Sequence, residues 1–140
     1  MTREETTAFF DRRLEAMTRH DVAALAADYA PDCVVESRMA GTVPGRAANE
    51  EVYRAWFSAF PDVTPHREAL LIDDAQVAEV SVLTGTDTGG FLGLPASGKS
   101  FQFTIAFLYT LRNGQIVHER RVYDFVGMLV QLGVLKTKPA

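Results

Sequence analysis

The chain has 140 residues, 47% of them hydrophobic and 23% charged, with 14 lysines and arginines against 18 acids for a formal net charge of −4. This length suits one domain, residues 1–140, that folds around one core without a metal or disulfide staple. The acidic balance offers no general attraction to nucleic-acid phosphates, and no apolar run approaches the length of a membrane span, so neither partner is expected. Cys33 is the only cysteine; it excludes an intrachain disulfide or a multi-cysteine metal site and reads as a small buried hydrophobe. The opening residues, MTREETTAFF, carry two acids where a secretory leader needs basic residues and then an apolar stretch, so the expected location is cytoplasmic.

In chain order, Thr2 and Glu5 form a capping-box pattern ahead of Phe9, Phe10, Leu14 and Met17 at helical spacing, which predicts a helix to about Arg19. Asp21 caps a shorter helix, VAALAADYA, that stops before Pro31. CVVES reads as a strand and Gly41 to Gly45 as a turn region. AANEEVYRAWFSAF sets Val52, Trp56, Phe57 and Phe60 along one helical stripe that ends at Pro61. From Thr64 the period changes to alternation, predicting antiparallel strands at residues 65–73, 76–87, 99–112 and 115–123, with IDDA and RNGQ as hairpin turns. FVGMLVQLG closes the chain as a short helix. Helices grouped before a run of antiparallel strands indicate an α+β domain.

Gly93 to Ser100, GLPASGKS, fits the phosphate-loop pattern letter for letter. That mechanism needs a helix directly after the loop, with its positive end toward the phosphates. The next residues, FQFTIAFLYTL, form an alternating strand instead, so the segment reads as a glycine-rich hairpin loop.

Two aspartates sit where a carboxylate is expensive. Asp87 ends a strand beside the glycine-rich loop, and Asp124 stands where a strand meets an apolar helix; a turn residue and a helix cap are their bland explanations. In a regular strand His118, Arg120 and Val122 share a face with Asp124, while Glu119, Arg121 and Tyr123 share the other, and either face can be the solvent side. His20, His66 and His118 show no short metal-ligand spacing and are expected at the surface. Arg38, near the end of the first strand, suits an anionic group or an ion pair, with the pair favoured. Trp56, Phe57 and Phe60 read first as core, though such a stripe can form one wall of a pocket. No serine or cysteine nucleophile arrangement stands out, which leaves carboxylate acid–base chemistry as the enzymatic reading.

FPDVTP after a helix, TGTDTGGFLGLPASGK at a hairpin and YDFVGMLVQLG near the C-terminus together resemble the SnoaL-like polyketide cyclases of the nuclear-transport-factor-like superfamily, over nearly the whole chain. The resemblance implies a cone-shaped barrel: a strongly curved antiparallel sheet wrapped by N-terminal helices around an apolar pocket, commonly dimeric through the sheet. It implies a reaction without metal or organic cofactor, an intramolecular aldol ring closure or isomerisation of a small hydrophobic carbonyl compound. Asp124 falls at the family's general acid/base, and Asp87 replaces the histidine of the family's GTH motif. Two carboxylates on one cavity would repel, raising the pKa of one so that it serves as acid while the other serves as base. The substrate pocket is expected to include Arg38, Trp56, Phe60, Phe103, Arg120 and Met128. Two further readings are an epoxide hydrolase-like enzyme with paired aspartates, as in limonene-epoxide hydrolase, and a non-catalytic module that binds small ligands. In the first, Gly85 stands where that family has an arginine.

Overall fold

A computed structural model describes residues 1–136. The chain runs α1 (Arg3–Thr18), α2 (Val22–Ala27), β1 (Tyr29–Ser37), β2 (Gly41–Pro44), α3 (Arg46–Ala59), β3 (Thr64–Asp73), β4 (Gln76–Thr86), β5 (Ser100–Arg112), β6 (Gln115–Tyr123) and α4 (Phe125–Gln131). The capping box forms as its sequence requires: the Glu5 amide donates to Thr2 Oγ1 at 3.1 Å, and the Thr2 amide donates to Glu5 Oε1 at 2.9 Å. Asp21 caps α2 through the Ala24 amide. The β3–β4 and β5–β6 hairpins turn on residues with positive φ, Asp74 in one and Asn113–Gly114 in the other, as tight turns that match the right-handed strand twist require.

The six strands form one sheet in the order β2-β1-β6-β5-β4-β3, antiparallel except for the parallel pair β1 and β6. Its edges, β2 and β3, do not pair, so the curved sheet stays open; the barrel implied by the resemblance is not closed. Register shifts after Arg67 in β3 and after Thr110 in β5 add bends of the kind a bulge introduces. β2 falls in the expected turn region, where four residues pair with Val34 to Ser37 of β1. The first strand also starts four residues earlier than CVVES, because Tyr29 already pairs with Ile116 of β6.

Helices α1 and α3 cover the concave face. One core cluster gathers Phe10, Leu25, Tyr29, Val35 and Ile116, and a second gathers Phe60, Phe91, Phe101, Phe103, Met128 and Leu132; Met17, Phe57 and Phe107 pack against both. Each fully buried aromatic, such as Phe10 or Phe60, contributes roughly 1.5–3 kcal/mol of transfer free energy. The β4–β5 loop supplies Phe91 to the second cluster, with its ring 5.2 Å from that of Phe60. Gly89 allows this docking: a Cβ there would lie 1.8 Å from the Ser58 carbonyl oxygen, while its amide donates to the Ala59 carbonyl at 3.1 Å. After the GLPASGKS segment comes a 13-residue strand and no helix, in keeping with a hairpin loop.

Candidate functional site

Strand alternation decides what the concave face holds. β4 turns Glu79, Ser81 and Leu83 inward, β5 turns Ile105 and Tyr109, and β6 turns Glu119, Arg121 and Tyr123. Two cavities of about 30 Å³ each lie between these strands and the helices, each with room for a water or two. The first is lined by Arg13, Glu79, Ser81 and Tyr109 among others, the second by Ser37, Trp56, Arg121 and Tyr123, and they share Met17, Tyr53 and Phe107 as walls. A larger ligand needs these walls to move. Met17, unbranched and only partly buried, is the wall best suited to do so.

A charge-balanced cluster forms the floor. Arg13 donates to Asp28 Oδ2 at 3.0 Å and to the hydroxyls of Tyr29 and Tyr53, each at 3.1 Å. Tyr29 donates to Glu119 Oε1, and Arg121 Nε donates to Glu119 Oε2 at 2.5 Å. Arg121 Nη2 reaches Asn49 Oδ1 at 3.1 Å. Burial alone would drive both guanidiniums toward neutrality, but the tyrosines and Glu119 around them hold them charged. Burial and the facing Glu119 carboxylate push the Tyr29 hydroxyl well up.

Three polar groups on the cavity walls are not spent in this way. The Tyr123 side chain is 8% exposed, its hydroxyl lacks a well-formed hydrogen bond, and burial pushes its pKa up to about 12; it is therefore a neutral donor at physiological pH. Ser81 Oγ is likewise buried without a partner among the described residues. Glu79 meets Arg67 through Oε2, at 2.9 Å from Nε and 2.8 Å from Nη2. Only the Nε contact has hydrogen-bond geometry, since Nη2 is left without an aligned acceptor. Burial raises the Glu79 pKa even against the pull of Arg67.

The two candidate aspartates are not brought together. Asp124 is exposed and caps α4, with Oδ1 accepting from the Gly127 amide at 2.8 Å. Asp87 is 3% exposed and ties up its own loop: Oδ1 accepts from the Gly90 amide, and Oδ2 from both the amide and the hydroxyl of Ser97, at 3.0–3.1 Å. Neither lines an interior cavity. Of the six residues expected in the pocket, Trp56 alone does so. Phe60, Phe103 and Met128 belong to the aromatic core behind it, with the Phe103 ring stacked 4.7 Å from Tyr123. Arg120 lies outside because from Glu119 to Tyr123 the odd positions of β6 face inward and the even ones outward, and Arg38, just past the end of β1, lies outside with it. They line a surface hollow of about 370 Å³ with Glu36, Thr42 and two residues that also reach the interior, Ser37 and Arg121. Arg120 and His118 both meet Glu36, at 3.3 and 2.7 Å, whereas Arg38, expected in an ion pair, has none among the described residues. His66 is exposed, as expected of the histidines, but His20 stacks on Phe57 at 4.2 Å, with Nε2 2.7 Å from the Val63 carbonyl oxygen.

Among the described residues no three of His, Cys, Asp and Glu come together in a way that could hold a metal ion, and no helix is long and apolar enough to cross a membrane. Helices laid over an open, strongly curved sheet, with an interior lined from β4, β5 and β6, define the nuclear-transport-factor-like, ketosteroid isomerase-like class of fold. Within that class the chain belongs to the SnoaL-like polyketide cyclase family, whose model matches residues 8–132. IdmH of Streptomyces antibioticus, a candidate polyketide cyclase, is 30% identical, with a TM-score of 0.75 over 91% of this chain and 97% of that one. AclR of Streptomyces galilaeus, a candidate hydroxylase, superimposes with a TM-score of 0.84 at 22% identity over 99% and 91%. A candidate SnoaL-like polyketide cyclase from Jannaschia does so at 0.83 and 20% identity over 93% and 92%. No curated protein matches the chain in sequence.

Proposed function

We propose that the chain is a cofactor-independent acid/base enzyme of the cyclase type, closing a ring by intramolecular aldol addition, or isomerising, a small hydrophobic carbonyl compound in the interior chamber. The observation that carries this reading is the Tyr123 hydroxyl: a neutral donor held against an aromatic wall and beside Arg121, near the Met39 backbone but without a well-formed hydrogen bond among the described residues. Burial of an unsatisfied hydroxyl is costly, and a carbonyl oxygen is the partner it lacks. As an enolate forms, charge grows on that oxygen, and a fixed donor in a dry site stabilises it more than water does. Arg121 adds positive potential from the same strand, with Nη1 left over after its bonds to Glu119 and Asn49. Family membership supports the cyclase class. The resemblance assigns the proton transfer to Asp124 with Asp87, and a carboxylate on the chamber wall itself competes with that assignment. Water activation by paired aspartates gains no support from their separate surroundings.

The test is deuterium exchange into 2-tetralone, a hydrophobic ketone with activated α-hydrogens, followed by NMR in D2O. Exchange above the solvent rate that falls in Tyr123→Phe supports the enzyme; saturable binding without exchange makes the chain a ligand-binding module. We further propose a cytoplasmic homodimer joined through the outer sheet face, where Leu71, Leu108 and Val122 are exposed. Light scattering tests the pairing, and Leu108→Glu should leave monomers.

A further inference from the structure

We propose that Glu79 is the catalytic proton acceptor and donor of the chamber, with Ser81 as an adjacent donor to substrate; the inference rests on the proposed enzyme function and names the residue that executes it. Among the residues that line the two interior cavities, Glu79 is the single carboxylate. Only one of its oxygens is committed: Oε2 meets Arg67, while Oε1 accepts no hydrogen bond among the described residues. Ser81, two residues along the same inward face of β4, presents a buried hydroxyl that has no partner among the described residues. An unspent carboxylate oxygen and an unspent hydroxyl on one cavity wall are what a C–H acid next to a carbonyl requires. Asp87, with both oxygens committed, and Asp124, set outside the wall, do not offer this.

The step balances without a co-reactant. Glu79 takes the proton from the carbon next to the carbonyl, the C–H electron pair moves to form the enolate, and the oxygen is met by the Ser81 or Tyr123 hydroxyl. The enolate carbon then bonds to a second carbonyl carbon of the same molecule, and the new alkoxide recovers the proton from Glu79. The charged and titratable groups around Glu79 are Arg67 of β3, itself held by Asp11 of α1 at 2.6 Å, Arg13 of α1, Tyr53 of α3, Tyr109 of β5 and the more distant Glu119 of β6. Among these, burial prevails over Arg67 and keeps the carboxyl a stronger base than an ordinary glutamate.

The experiment measures 2-tetralone exchange against pH for the wild-type chain, Glu79→Gln, Glu79→Asp and Asp124→Asn, each checked for native circular dichroism. The expected result is a loss of roughly a hundred- to ten-thousand-fold in Glu79→Gln, partial recovery in Glu79→Asp, and a wild-type rate in Asp124→Asn. The acid limb of the wild-type profile should lie above the ordinary glutamate range and vanish in Glu79→Gln. Folded Glu79→Gln with wild-type exchange overturns the assignment alone, and a collapse in Asp124→Asn moves it to the competitor. If Glu79→Gln fails to fold, an unchanged rate and acid limb in Glu79→Asp overturns the assignment. No exchange by the wild-type chain overturns the enzyme reading and this inference together.

Discussion

Tyr123 and Asp124 are consecutive in the chain yet lie on opposite sides of the chamber wall. The Tyr123 ring lines an interior cavity, while the Asp124 carboxylate is exposed and holds the first turn of α4. The strand ends between them, so the residue that best marks the family by sequence and the residue that best fits the chamber by chemistry are neighbours with different work.

Tyr123→Phe separates function from stability. The hydroxyl it removes is buried without a well-formed bond, so unfolding in urea should change by less than about 1 kcal/mol, with a gain as acceptable as a loss. Exchange into 2-tetralone should nonetheless fall about a hundredfold if the hydroxyl steadies the enolate oxygen. A large loss of stability would show instead that the hydroxyl has a structural partner.

Asp124 is expected to matter to α4 more than to turnover. Asp124→Ala removes the acceptor of the Gly127 amide and should cost about 1 kcal/mol, whereas Asp124→Asn keeps a capping oxygen and should cost only a few tenths. Urea unfolding of the two variants checks the order.

Most of the fold was legible because the helices carry their own caps and the strands their own period: Thr2 and Glu5, Asp21, and the Asn113–Gly114 turn all act locally. The four residues of β2 carry too little alternation to show, and they become a strand only because β1 offers Val34 to Ser37 as partners. The chamber was less legible. Alternation separated Glu119, Arg121 and Tyr123 from His118, Arg120 and Asp124, but which set faces inward depends on where α1 and α3 pack. Glu79 carries only a weak signal in the sequence, an acid at an inward position between Val77 and Ser81 in an alternating strand. Its ion pair with Arg67 spans β3 and β4 and exists only once the sheet forms.

The β4–β5 loop should unfold locally when its central carboxylate is removed. Asp87 satisfies three donors from inside the loop, so Asp87→Ala removes the acceptor of the half-buried Gly90 amide and of both Ser97 donors and should cost about 1–2 kcal/mol. Gly89→Ala should cost a similar amount by another route, since its methyl would overlap the Ser58 carbonyl and lift Phe91 from the core. Hydrogen exchange should show lost protection confined to residues 87–99 and the end of α3 in both variants. Loss spread over the whole sheet would count against an independent loop unit.

Glu79 should leave a signature in the pH dependence of stability. Burial raises its pKa in the folded chain above the unfolded value, so between those two values the native state holds the proton more often than the unfolded state does. Stability therefore falls as pH rises through that window. Glu36 and Asp62, whose pKa values are lowered by His118 and Thr86 respectively, act in the opposite sense and below the ordinary carboxylate range, where stability is lost as pH falls. Urea unfolding from pH 4 to 7 should show the Glu79→Gln variant gaining on the wild type as pH rises. Arg67→Met should lose about 2 kcal/mol at pH 7, less than a fully buried pair because Arg67 is partly exposed, and less again at pH 4, where Glu79 carries its proton. A wild-type to Glu79→Gln difference that stays flat across this range would mean that the carboxyl is ionised at an ordinary pKa inside the chamber.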